Sequence, residues 1–242
     1  MSNYNFDAII AYCNDKGIEL KEEQLSMLSS FYEMLVEKNK VMNLTGITEW
    51  DDVVLRHYID SISISEIMNL NDFRGKVLDL GTGAGFPGIP LKIIFPNLQI
   101  TLFDSLNKRI RFLQEVIDEL KLKNIETIHG RAEEFGKNSD YREQYDLVVS
   151  RAVANIATLS EYCLPFVKVG GSFISYKTDS IEEEISNSGK AVSILGGKIE
   201  RVEHFTLPNT DMERSLLQIK KIKTTGKKFP RKAGLPSKEP LH

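Results

Sequence analysis

The spacing of apolar residues along the chain changes character near residue 76. Before that point it is helical. Phe6 to Asn14 reads as a short helix stopped near Gly17, and Glu22 to Lys40 as a longer one with Leu25, Leu28, Phe31, Tyr32, Leu35 and Val36 along one face. Met42 to Thr48 is polar and poorly periodic, and a further helix is predicted from Asp51, carrying Arg56, His57, Asp60 and Ser61. After residue 76, short apolar runs at Val77–Leu80, Leu98–Phe103, Asn124–His129, Tyr145–Ser150 and Gly171–Tyr176 alternate with helical stretches. Runs of this kind suit strands buried on both faces of a parallel sheet. A helix from Ser180 to about Val192 and two more strands, near Ile199–Phe205 and Ser215–Ile222, complete the pattern. The predicted fold is α/β: a seven-stranded Rossmann-like sheet with helices on both faces and a helical N-terminal lobe. The expected divisions are 1–70 for the lobe, 71–225 for the α/β domain and 226–242 for a C-terminal tail.

The first strand breaks into Gly81-Thr82-Gly83-Ala84-Gly85-Phe86-Pro87-Gly88 and then a helix. Glycines there allow positive φ and remove the Cβ atoms that would hold a ligand away from the backbone. A dinucleotide turn spaces its glycines G-x-G-x-x-G, to seat a pyrophosphate on the helix N-terminus. Here Gly81, Gly83 and Gly85 alternate and Phe86 stands at the third fingerprint position, so the register is wrong for a pyrophosphate. A purely structural turn accounts for the glycines equally well if they are taken alone. The second strand leads into Asp104, about 20 residues beyond the turn, where a nucleotide fold places the acid that accepts ribose hydroxyls. The competing role for Asp104 is a helix cap. In an open parallel sheet the crevice lies beyond the carboxyl ends of the strands, so Gly81–Phe86, Asp104, Ala132, Glu133 and Arg151 are expected to converge.

Composition adds little except at the C-terminus. Hydrophobic content of 41% and charged content of 27% are those of a globular protein. No segment has the apolar length of a membrane span and the N-terminus has no leader pattern, so a cytoplasmic location is expected. Cys13 and Cys163 are too far apart in sequence to suggest a metal site, and no metal is expected. The net charge is −3, yet the segment from Lys220 onward carries +7, leaving −10 on the remainder. A basic tail on an acidic body suits contact with a polyanion, although a solvated tail is as common an explanation. Lys227, Lys228, Arg231 and Lys232 are its candidate polyanion contacts, joined by Lys177 at the end of the fifth strand. Arg56 faces a choice between phosphate and an ion pair. His57 is a candidate to orient a polyanion or the lobe junction, although a lone histidine among apolar neighbours is more often structural.

Separated motifs from about Leu20 to the end resemble the RsmG (GidB) family, bacterial enzymes that methylate N7 of a guanine in small-subunit ribosomal RNA. They are Asn43-Leu44-Thr45 with Arg56-His57 and Asp60-Ser61, the glycine loop with its unusual Phe86-Pro87-Gly88, Gly130-Arg131-Ala132-Glu133, Ser150-Arg151-Ala152, and the closing Arg231-Lys232-Ala233-Gly234-Leu235-Pro236. The resemblance implies a class I methyltransferase fold, S-adenosylmethionine (SAM) as cofactor, and 16S rRNA or the small ribosomal subunit as partner, with neither DNA nor membrane. It also implies that Gly81, Phe86, Ala132, Glu133 and Arg151 contact SAM. The residues agree with N7 chemistry. Pyrimidine C5 methylation needs a cysteine nucleophile, and Cys163 reads as core. Amino methylation usually comes with an Asn/Asp-Pro-Pro-aromatic turn, whose place is taken by Ser150-Arg151-Ala152-Val153. No catalytic residue is assigned, because N7 carries a lone pair and no proton.

Overall fold

The computed structural model describes residues 4–151, 154–178 and 181–242. Ala152, in the closing turn of the fourth strand, and Ser180, the expected start of a helix, lie outside the described residues. Helices α1 (Asp7–Asp15) and α2 (Glu22–Met42) open the lobe. The helix expected from Asp51 is a composite run over 50–66. It comprises α3 (Trp50–Val53), a π-helical segment (Val54–Ile59), α4 (Asp60–Ile62) and a 3₁₀ turn (Ser63–Glu66). The π segment rotates the side chains that follow it by one extra residue, and π segments are frequent at functional sites.

Strand β1 (Lys76–Leu80) is followed by α5 (Gly88–Ile94), β2 (Gln99–Asp104), α6 (Asn107–Glu119), β3 (Ile125–His129), α7 (Ala132–Phe135) and β4 (Tyr145–Ser150). Then come α8 (Ile156–Cys163), β5 (Val167–Lys177), α9 (Glu182–Ile194), β6 (Gly197–Thr206), β7 (Glu213–Lys221) and α10 (Leu235–Lys238). The seven strands form one sheet in the order β3-β2-β1-β4-β5-β7-β6. β1 to β5 pair in parallel, and β7 inserts antiparallel between β5 and β6.

Period-2 alternation supplies both faces of the sheet. Leu147 and Val149 of β4, Ile174 of β5 and Leu216 of β7 pack into one apolar cluster. Their neighbours Val148, Phe173 and Leu217 pack into the other. The first cluster also takes Ile9, Leu28, Phe31, Tyr58 and Ile59 of the lobe together with α5 and α6, so the lobe shares the core of one sheet face. Polar ties reinforce that join. The Gln24 amide donates to the carbonyls of Ile93 (2.8 Å) and Ile94 (3.0 Å), and the buried Tyr176 hydroxyl donates to Ser61 O (2.9 Å).

The second cluster lies under α7, α8 and α9 and includes Phe229, which belongs to the expected tail. Residues 225–241 form a strap across this face. Arg142 donates to the carbonyls of Thr225, Gly226 and Phe229, Thr158 Oγ1 donates to Pro236 O (3.0 Å), and Phe229 and Pro236 are buried. Lys221 is buried beside Glu143 (3.2 Å) and donates to Leu164 O and Thr225 Oγ1. Two of the eight cations from Lys220 onward, Lys221 and Arg231, therefore serve the fold. Cys13 and Cys163 are free, buried thiols in the two cores.

Candidate functional site

Chain order in the sheet reverses between β1 and β4, which puts a crevice beyond their carboxyl ends. The loop after β1 is braced from below by Asp79. Its fully buried carboxylate accepts Thr82 Oγ1 (2.6 Å) and the Gly88 amide (2.8 Å) on Oδ2, while Oδ1 has no partner among the described residues. Burial raises its pKa to about 6. A Cβ at Gly88 would stand 2.2 Å from Leu102 and 2.8 Å from Asp79 Oδ2, so only glycine lets the helix start there.

The other loop glycines divide into two kinds. Gly81 (φ +77°) has nothing within 4 Å of where a Cβ would stand, and Gly83 (φ +62°) has only Gly81 O at 4.0 Å. Their outer side is open backbone that a ligand can approach. A Cβ at Gly85 (φ +101°) would meet Ile89 and Leu113 at 2.7 and 2.8 Å. That glycine is required by the packing of the loop on α5 and α6.

Asp104 ends β2 with only 3% exposure and works from both oxygens. Oδ2 accepts the Gly83 amide (3.0 Å) and Arg109 (3.3 Å), and Oδ1 accepts the Leu106 amide (2.8 Å). It thus ties the glycine turn to the start of α6. A carboxylate offers about four lone-pair sites, so room remains for about one further donor. Leu106, unremarked in the sequence, presents an apolar side chain at 43% exposure two residues further on. On the other side of β2, Gly130 N donates to Asp104 O (3.1 Å), which brings Ala132 and Glu133 of α7 to the same edge. Glu133 Oε1 accepts the Gly234 amide of the strap (2.8 Å), and Oε2 has no hydrogen bond among the described residues.

The motifs of the lobe meet the end of β4 around Phe86. His57 stacks on the Phe86 ring (4.3 Å, 17°), and the Arg151 guanidinium lies 5.2 Å from the same ring. Arg151 donates to Asp60 Oδ2 (2.6 Å) and to His57 Nδ1 (3.2 Å). Arginine only donates, so Nδ1 is the acceptor and the proton sits on Nε2, which donates to Thr45 Oγ1 (2.8 Å). Burial, with the Arg151 charge second, lowers the His57 pKa to about 3, so the ring is neutral at physiological pH. His57 is a structural element of this junction. The acid that holds Arg151 is Asp60, and Glu133 is committed elsewhere. Asp60 also accepts from Arg214 Nε (2.9 Å) on Oδ1. Arg214, in the antiparallel strand β7, has no motif around it and could not be placed here by sequence pattern.

Two expected RNA contacts are corrected. Lys177 donates to Ala154 O (2.8 Å) and to Glu184 (2.8 Å), with a side chain only 9% exposed, because a cation held that far from water needs an anion beside it. Arg231 is bidentate on the fully buried Glu161 of α8. Lys227, Lys228 and Lys232 remain exposed and without ion pairs among the described residues, as does Arg56. No cluster of side chains among the described residues could hold a metal ion, and no helix there is long and apolar enough to cross a membrane.

Comparison with known proteins agrees with this arrangement. The chain matches the family described as rRNA small subunit methyltransferase G over residues 24–217. It is 52% identical over 225 residues to Ribosomal RNA small subunit methyltransferase G of Lachnoclostridium phytofermentans, covering 93% of each chain. The protein of the same name from Acetivibrio thermocellus is 53% identical over 225 residues, covering 93% of this chain and 92% of that one. Among solved structures, Aeropyrum pernix fibrillarin with natively bound S-adenosyl-L-methionine superposes with a TM-score of 0.52 at 16% identity, over 66% of this chain and 72% of that one. The chain has the class I SAM-dependent methyltransferase fold and belongs to the rRNA small subunit methyltransferase G family.

Proposed function

We propose that this protein transfers the methyl group of SAM to N7 of a guanine in 16S rRNA, and that it does so by positioning. The residues present suit SAM. The open backbone at Gly81 and Gly83 admits a ligand without a pyrophosphate, Asp104 retains about one acceptor site for a ribose hydroxyl, and Glu133 Oε2 is free. Leu106 would offer apolar surface to an adenine, and Ala132 stands beside Glu133 at the same edge. Phe86 and Arg151 would contribute through the junction they form with His57. When bound, SAM supplies an electrophilic methyl group on a sulfonium.

One observation carries the choice of acceptor atom: the polar side chains around this edge are already committed. His57 is neutral with both nitrogens engaged, Asp60 is held by two arginines, Asp104 accepts three donors and Lys177 is paired. Asp79 is locked beneath the loop and Cys163 is core. None of these is open to remove a proton from an acceptor, the one open carboxylate oxygen, Glu133 Oε2, is assigned above to SAM, and N7 has no proton to lose. The rate then comes from alignment of the lone pair with the methyl group. Lys227, Lys228 and Lys232 on the strap would add salt-sensitive contacts to RNA phosphates. Work on ribosomal RNA would be done in the cytoplasm.

The test is incubation of the protein with methyl-labelled SAM and unmethylated small ribosomal subunits, followed by nuclease digestion of the RNA. The expected product is 7-methylguanosine at one position. Label on an exocyclic amine, a ribose or a pyrimidine carbon would overturn the assignment.

A further inference from the structure

We propose that a cavity between the lobe and the sheet is a seat for one phosphodiester group of the RNA, with Arg56 and Arg214 as its contacts. The inference rests on the reading of the protein as an RNA methyltransferase. The cavity measures about 220 Å³, and its charged and imidazole lining comes from Arg56, His57 and Asp60 of the helical run and from Arg151, Lys177 and Arg214, with the hydroxyls of Tyr176 and Thr178 beside them. It lies directly behind the junction that holds Phe86.

Among the described residues the lining has four cations and one carboxylate. Lys177 is neutralised by Glu184, and Asp60 can compensate only one of the two arginines it binds. His57 contributes no charge. Arg56 is exposed and has no ion pair among the described residues, so about two positive charges remain without an anion. The hydrogen-bonding groups point the same way. Both oxygens of Asp60 and both nitrogens of His57 are in use. Arg214 uses Nε on Asp60 and Nη1 on Glu213 O, which leaves Nη2. Unused capacity is therefore in donors, carried by guanidinium groups whose planar fork matches phosphate oxygens.

A guanine base is a poor occupant. Its Watson–Crick edge would turn N–H donors toward a lining in which cations and donors outnumber acceptors, and an N7-methylated product is itself a cation. A backbone phosphate next to the acceptor nucleotide satisfies both the charge and the donors. Such a contact would fix the RNA strand relative to the Phe86 junction and so to the methyl donor. The competing anion is the carboxylate of SAM, and the experiment separates the two.

The full-length protein and the variants Arg56→Ala and Arg56→Lys are compared for binding to unmethylated small ribosomal subunits over a range of salt, and for SAM binding by calorimetry. Arg56 is exposed, so its replacement leaves the fold intact. Arg214→Lys, which keeps a cation beside Asp60 but removes the fork, is the second variant. The expected result for Arg56→Ala is a salt slope shallower by roughly 0.7 to 0.9 log units, a raised KM for RNA, an unchanged kcat at saturating RNA and unchanged SAM affinity. Arg56→Lys should retain the slope, and Arg214→Lys should raise KM for RNA without changing SAM affinity. An unaltered slope in Arg56→Ala, while the unsubstituted protein methylates the particles, overturns the phosphate seat alone. Weakened SAM binding with an unaltered RNA slope gives the cavity to the cofactor carboxylate and also overturns it. Failure of the unsubstituted protein to methylate the particles removes the RNA reading and the seat together.

Discussion

Replacing Asp60 with alanine is expected to cost about 3 to 5 kcal/mol of stability, the range for removing one member of a buried ionic group and leaving its partners uncompensated. Asp60 is 6% exposed and stands between Arg151 and Arg214. Without its carboxylate, two largely buried guanidinium groups share the cavity with no carboxylate in its lining among the described residues. The damage would spread along the bonds already described. Arg151 loses its hold over the Phe86 ring, and His57 loses the donor that fixes its tautomer. Methyl transfer should fall with stability, since the same contacts join the lobe to the carboxyl edge of the sheet. Asp60→Asn keeps acceptor and shape but not charge, and should cost less than the alanine variant. Urea unfolding of the three proteins measures this. A loss below about 1 kcal/mol for Asp60→Ala, the scale of an exposed ion pair, would contradict the role given to this carboxylate.

Arg231→Ala is expected to have a similar effect at the opposite face, again about 3 to 5 kcal/mol. Glu161 is 0% exposed, and Arg231 supplies donors from its backbone amide, Nε and Nη2. Removal of the guanidinium leaves a buried carboxylate with the backbone amide alone. The strap that begins at Thr225 would lose its central anchor, and with it the amide of Gly234 that bonds Glu133. Limited proteolysis should then cut within residues 226–242, at sites the unsubstituted protein protects. The double variant Arg231→Met/Glu161→Leu should recover most of the loss, because an apolar pair of similar volume in place of a buried ion pair is often neutral. If the double variant is no more stable than Arg231→Ala, the loss arises from strap packing and not from the stranded charge.

The parts of this fold that are local in sequence could be read from it. The apolar runs at Tyr145–Ser150 and Gly171–Tyr176 predict strands buried on both faces, and both pack that way. The glycine loop, the acid about 20 residues beyond it and the turn before Ala132 fall at one edge because a parallel sheet delivers every strand end to the same side. What could not be read was which side chain pairs with which across the fold. Asp60, Arg151 and Arg214 come from the lobe, the end of β4 and an antiparallel strand, and no periodicity links them. Lys177 at the end of β5 looks like a free cation until α9 brings Glu184 to it. The same holds for the C-terminus. A run of lysines and arginines reads as a solvated tail, whereas Phe229, Pro236 and Arg231 within it are the residues that dock. The π segment over Val54–Ile59 was also hidden, since its apolar spacing is close to that of an α-helix.

The most direct test of transfer to N7 uses ribosomal RNA that carries 7-deazaguanine at the mapped position. Carbon replaces N7 there, and the Watson–Crick edge and the backbone are unchanged. The expected result is that this RNA binds with the affinity and salt dependence of the normal substrate, and that no methyl group is transferred to it from SAM. Methylation of the 7-deazaguanine substrate at the normal rate would contradict it.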